Sequence, residues 1–203
     1  IAHILLKLNQ HPKYPTFFHH VYKQKKIETW MLLDALQQFT IALVSKESYY
    51  DKVMEGEASL SIQQTKGFAL FEQHCNRCHT APLFYSNRFE KNGLVLDTSD
   101  LGRFEITGLE ADREKFRVPS LRNISHSFPY MHDGRFATLL QVVQHYNNGI
   151  QNGPALDNRL KTPQGNPLRL NLTAADQNAL VAFLMTLTDD VLNLDPKFQN
   201  PFK

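Results

Sequence analysis

Along residues 27–44, IETWMLLDALQQFTIALV, apolar groups fall at Ile27, Trp30, Leu33, Leu36 and Leu43, with Thr29 available as a cap. That spacing predicts a helix, and it makes Trp30 a core residue. Upstream, two prolines break HPKYPTFFHHVYKQ and leave a short apolar turn around Phe17, Phe18 and Tyr22. Ser61 and Gln64 form a capping-box pattern at the start of a second helix, QQTKGFALFEQHC, in which Phe68 and Phe71 lead to Cys75. Thr138 opens LLQVVQHYN, stopped by Asn147, Asn148 and Gly149; Thr173 with Asp176 opens AADQNALVAFLMTL. Both read as amphipathic helices.

The segments between them are irregular. From His79 to Pro129, Gly93, Gly102, Gly108 and Pro119 interrupt short apolar groups, and only Val95 and Phe116 to Val118 offer brief extended pairing. Residues 150–172, with Gly153, Pro154, Pro163, Gly165 and Pro167, read as a surface excursion. The tail from Asp189, with Pro196 and Pro201, is expected to lack regular structure. The pattern predicts an all-α class.

A chain of 203 residues can bury about 70% of its extended surface, enough for a real core. Twenty-two Lys and Arg against 20 Asp and Glu, with no basic run, give no electrostatic footprint for nucleic acid. No apolar stretch approaches the ~18 residues of a membrane helix, and no leader opens the chain at Ile1. A soluble, trimmed or excised chain is expected.

The chain has two cysteines, both in HCNRCHT at 74–80, which excludes a disulfide scaffold. A redox dithiol would follow a strand, and a zinc site needs further ligands at similar spacing; neither is present. Covalent c-type haem uses all three residues: Cys75 and Cys78 bond the two vinyl groups and His79 binds the iron. Candidates for the sixth iron position are Met131, His132, His145, Tyr146, Met54 and Met185. Each of them is also an ordinary packing residue, and composition does not choose among them.

The ordered set CNRCHT, then FRVPSLRNISHSFPYMHDGRFATLLQVVQHYNNG, then LNLTAADQNALVAFLMTLT resembles the C-terminal haem domain of bacterial dihaem cytochrome c peroxidases, including the MauG-like branch. The likeness runs over roughly residues 10 to 188. It implies a cytochrome c-like helical domain with long loops around a covalently bound haem, preceded by a helical segment over 1–60, occupying 61–188, and followed by a tail over 189–203. It also implies a sixth ligand from the helix after PYMHDG, a methionine in ordinary peroxidases and a tyrosine in the MauG-like branch. Tyr146, fourteen residues beyond His132, stands there; Met131 is the runner-up. By the same resemblance His132 lies near the haem and the domain junction, Arg122 holds a haem propionate, and the carbonyls of Ser127 and Pro129 help hold calcium. The plain alternative for Arg122 is a surface ion pair.

The family has two haems, and this sequence has one CxxCH. The resemblance therefore implies a fragment holding the C-terminal domain, with no catalytic residue of its own and its partner the N-terminal haem domain of the same protein. In the complete enzyme a small cytochrome c or a copper protein would supply electrons through this haem to the other, where hydrogen peroxide is reduced to water. A MauG-like oxidase of a protein substrate is the alternative. A monohaem electron carrier and a haem-free interaction domain are rivals from other classes. Covalent haem attachment implies the periplasm, and a homodimer is left open.

Overall fold

Four helices begin on one reciprocal device. Ser48 with Asp51, Ser61 with Gln64, Thr138 with Gln141 and Thr173 with Asp176 each pair an N-cap hydroxyl with the N3 backbone and the N3 side chain with the N-cap backbone. Two otherwise orphaned N–H donors are satisfied at every start. The last three are the starts that the sequence pattern predicts. The computed structural model describes residues 1–94, 100–153 and 155–200. Val95, Pro154 and Pro201, which figure in the expectations above, lie outside the described residues.

The chain forms two compact units, Ile1–Val44 and Ser45–Lys203. The first holds α1 (Ala2–Gln10), α2 (Tyr14–Tyr22) and α3 (Thr29–Ala42). Asn9 ties it together: its amide donates to the Leu5 and Ile27 carbonyls at 2.9 and 3.0 Å and accepts the Ile27 N–H at 2.9 Å. Tyr22 Oη–H donates to Asp34 at 2.7 Å, joining α2 to α3. Three expectations are corrected here. The apolar turn at Phe17 is a full helix, begun by Pro15 in its first turn, where a missing N–H costs nothing. The N-cap of α3 is Glu28, not Thr29. Trp30 is 52% exposed, not core, with its indole N–H on Glu28 at 3.1 Å. Ile27 and Met31, one turn apart, are the buried positions; α3 is apolar on several sides, so periodicity alone does not select its inward face.

The second unit contains α4 (Tyr49–Met54), α5 (Ile62–His74), α6 (Phe104–Thr107), α7 (Leu139–Gln144), α8 (Ala174–Met185) and α9 (Asp190–Leu194). Its centre is the crossing of α5 on α8. At Gly67 a Cβ would lie 1.9 Å from the Ala179 carbonyl oxygen and 2.8 Å from Phe183 Cβ. Only a residue without a side chain permits that approach. The fully buried rings of Phe71, Phe84 and Phe183 meet around it, Phe71 to Phe183 at 5.2 Å and Phe71 to Phe84 at 5.5 Å, and Tyr50 stands edge-on to Phe84 at 5.0 Å. Such tilted and edge-on pairs add to the burial of the rings themselves.

The class is helical, as expected, and the long loops are largely irregular. Phe116–Arg117 (β2) does pair as an extended stub, antiparallel to Phe89–Glu90 (β1), with Phe89 opposite Arg117. The excursion over 150–172 meets the body through a bridge of Leu156 to Lys91 and closes on itself through one of Pro167 to Lys161. The tail corrects its expectation: it forms α9 and a short 3-10 turn over Pro196–Phe198. Asp189 is buried and accepts the backbone N–H groups of Lys46 and Glu47 at 2.8 and 3.0 Å, which fixes where the tail departs. Among the described residues no helix is long and apolar enough to cross a membrane.

Candidate haem-binding site

Helix α5 ends at Cys75, whose N–H still donates to Phe71 O at 2.8 Å. The chain then turns tightly, and the N–H groups of Cys78 and His79 both donate to Cys75 O at 3.1 Å. His79 Nδ1 lies 3.2 Å from Phe84 O and 3.1 Å from Pro119 O. Carbonyl oxygens only accept, so Nδ1 carries the proton and the Nε2 lone pair is left for a metal. Burial lowers the His79 pKa, against the two carbonyls that raise it, and the imidazole stays neutral. Phe84 holds this loop from within the core. Its ring is fully buried while its backbone sits at φ +54°, a region unfavourable for a bulky residue.

Both thiols are free and half-buried. Burial, then the neighbouring Cys78, pushes the Cys75 thiol up to about 12, and burial raises Cys78 as well. Catalytic and redox thiols show the opposite shift. Neutral thiols beside an apolar core suit addition across vinyl groups and do not suit a dithiol exchange centre.

A second group of candidate ligands lies in a segment that the sequence pattern reads as plain helix. After α7 the chain widens into a π-turn, His145–Gly149, which carries Tyr146. Such turns gather at functional positions. His145 is buried, and its Nε2–H donates to Asn92 O at 3.0 Å. The Asn92 amide nitrogen reaches Tyr146 Oη at 3.5 Å and Met131 Sδ at 3.6 Å. Burial pushes the Tyr146 phenol up to about 12; the Asn92 contact lowers it, and Cys75 and Cys78 add to the rise. The phenol is thus within electrostatic reach of both cysteines.

The six candidates for the sixth position therefore separate. Tyr146 and Met131 converge on Asn92. His132 stacks on Phe116, ring centroids 3.8 Å apart and 13° from parallel, with Nε2 3.9 Å from Asp100. His145 has Nε2 committed to Asn92 O. Met54 and Met185 are 55% and 49% exposed on α4 and α8.

Arg122 does form an ion pair, but not one on the surface. Its Nη1 and Nη2 donate to Asp51 at 2.8 and 2.7 Å, Nη1 also to Ser45 O at 3.1 Å, and Nε to Pro82 O at 2.9 Å. The pair is only 11% and 14% exposed. Its fork is engaged with protein groups, and the ion pair is interior, not superficial. Burial alone would raise Asp51; hydrogen bonds from Arg122 and Ser48 and the Arg122 charge together outweigh it and hold the carboxyl below its usual range.

Two residues escaped the sequence reading. Asn92 lies in a glycine-punctuated loop and gives no periodic signal. Arg159, in the excursion, donates through Nε to Asp157 at 2.9 Å and through Nη2 to Asp157 and Glu90, and its charge acts on Cys78. Its Nη1 is buried with no hydrogen-bond partner among the described residues. Ser127 and Pro129 sit on an exposed turn, and among the described residues no group of three His, Cys, Asp or Glu side chains converges on a metal position.

The residues present fit haem c: two neutral thiols at a helix end, a histidine with one nitrogen tied back, a phenol and a thioether gathered on one amide, and an orphaned buried N–H. Residues 64–188 match the cytochrome c family, which defines the helical body as a c-type haem domain. Residues 1–59 match the di-haem cytochrome c peroxidase family. The chain is 33% identical to the cytochrome c551 peroxidase of Nitrosomonas europaea over 94% of its own length and 52% of that relative's. To the methylamine utilization protein MauG of Methylorubrum extorquens it is 32% identical, covering 91% of this chain and 52% of the relative. The crystal structure of a MauG-like protein associated with microbial copper homeostasis superposes with a TM-score of 0.85 at 31% identity, over all of this chain and 66% of that one. The chain belongs to the dihaem cytochrome c peroxidase and MauG-like family, and its cofactor is haem c. It spans about half the length of the curated relatives it matches.

Proposed function

We propose that this chain is the electron-transfer c-haem domain of a dihaem enzyme that reduces hydrogen peroxide to water, with Tyr146 on the distal side of its iron. Haem c supplies one-electron exchange. Cys75 and Cys78 hold it, each S–H adding across one vinyl group to leave a thioether. His79 presents Nε2, kept in that tautomer by the Phe84 and Pro119 carbonyls. Tyr146, on the π-turn, would take the distal position, and Met131 shares its amide. Arg159 keeps a buried donor for a propionate, the part first expected of Arg122. The reading is supported by the convergence of a phenol and a thioether on one amide and by a histidine whose Nδ1 is already spent.

A phenolate favours ferric and higher oxidation states more than a thioether does, so Tyr146 also supports a MauG-like oxidase of a protein side chain. In either case a small cytochrome c or a copper protein of the periplasm is the electron donor, and the partner domain of the same protein holds the second haem. Calcium on the Ser127 and Pro129 carbonyls belongs to the same proposal.

The test uses the full-length protein, made in a host that attaches c-type haem. Mass spectrometry is expected to find one haem on this domain, lost in Cys75→Ser/Cys78→Ser. The ferric spectrum of this haem is expected to change in Tyr146→Phe and not in Met131→Leu. Reduced donor should be consumed by peroxide in the wild type. A change in Met131→Leu alone would return the domain to the thioether-ligated kind, and no peroxide-dependent oxidation would leave an electron carrier.

A further inference from the structure

The loop that carries Asn92 is clamped to the Tyr146 turn by bonds that do not involve its side chain. His145 Nε2–H donates to Asn92 O at 3.0 Å, Gln151 N–H to Gly93 O at 2.8 Å, and Asp157 N–H to Lys91 O at 3.1 Å. Gly93, at φ +72°, comes so near the returning chain that a Cβ would lie 2.6 Å from Ile150 Cγ2 and 2.9 Å from Gln151 O. The backbone of residues 91–93 therefore has one seat. Within it, Asn92 Oδ1 accepts the Leu94 N–H at 3.4 Å, which sets the amide with its nitrogen toward Tyr146 and Met131. One NH2 group thus stands 3.5 Å from the phenol oxygen and 3.6 Å from the thioether sulfur.

These two acceptors are unequal. A phenolate oxygen carries charge and accepts an N–H strongly, whereas a thioether sulfur is a weak acceptor. An amide fixed between them favours presenting the oxygen as a ligand and keeps the sulfur occupied. We infer that Asn92 is a positioning residue that selects Tyr146 over Met131 as the sixth ligand of the haem. The inference rests on the assignment of Tyr146 to that position. Without the donor, Met131, which shares that nitrogen with the phenol, is free to compete.

The experiment compares Asn92→Leu, Asn92→Asp, Tyr146→Phe and Asn92→Leu/Met131→Leu in the haem-loaded full-length protein. The readouts are the ferric absorption spectrum and the one-electron equilibrium of this haem, with haem content and thermal unfolding as folding controls. Asn92→Asp keeps the shape and removes the donor, and decides the matter should Asn92→Leu not fold. Both variants are expected to lose the wild-type ferric spectrum and to move the equilibrium at least tenfold toward ferrous, about 59 mV for one electron. The added Met131→Leu is expected to abolish that shift. A wild-type spectrum in both Asn92 variants, with Tyr146→Phe altered, overturns the selecting role and leaves Tyr146 as ligand. A shift toward ferric also overturns it, since a phenolate relieved of its hydrogen bond but still bound would give that. An unaltered Tyr146→Phe spectrum overturns the ligand assignment and the selecting role with it.

Discussion

The two sides of the haem site are built differently. The anchoring side is almost local: Cys75, Cys78, His79 and Phe84 lie within one helix end and its turn, and they rest on the aromatic core between α5 and α8. The facing side is drawn from three distant places, Asn92, Met131 and Tyr146, held by contacts of 3.5 to 3.6 Å inside a loop clamp. One side is over-determined by packing. The other rests on two long contacts of a single amide.

The largest expected effect tests the first half of that contrast. Gly67→Ala forces a methyl group into the Ala179 carbonyl, and neither backbone can retreat without separating α5 from α8. Overpacking of this kind should destabilise by about 3 kcal/mol, read as a lower urea midpoint with unchanged slope. A loss under ~1 kcal/mol would mean that the crossing is looser than the anchor requires.

Next comes the ion pair that ties α4 to the loop under His79. Arg122→Ala strands Asp51 at 14% exposure and should cost about 3 kcal/mol. Asp51 has its folded pKa depressed, so its contribution is present above the unfolded carboxylate value and is lost as pH falls through the folded one. Removing Arg122 raises that folded value, and acid unfolding should begin at higher pH in the variant than in the wild type. Identical acid midpoints would show that the pair does not hold the loop.

The smallest effect belongs to the facing side. Thr138→Ala removes the cap of α7, whose Oγ1 accepts the Gln141 N–H at 3.3 Å, and should cost about 1 kcal/mol. It should also disturb the Tyr146 spectrum more than the His79 tautomer, since α7 leads directly into the π-turn that carries Tyr146. Equal disturbance of both sides, followed by the histidine ring resonances and the ferric spectrum, would break the contrast.

The sequence by itself determined whatever is encoded within a few residues. CxxCH, the Ser61, Thr138 and Thr173 caps and the approach of Phe71 to Cys75 are local patterns, because a helix start or a thioether turn is satisfied by groups three or four positions apart. The family likeness put Tyr146 first among the candidates for the sixth position and Met131 second. Tertiary structure decided the rest. Trp30 is exposed because a helix apolar on several sides does not announce which side is covered. Arg122 is engaged with Asp51, 71 positions away, and Asn92 meets Tyr146 across 54, so both depend on the path of the glycine-rich loop between His79 and Pro129. No spacing rule encodes such a path, since an irregular loop has no period and its course is set by the closures made at its ends.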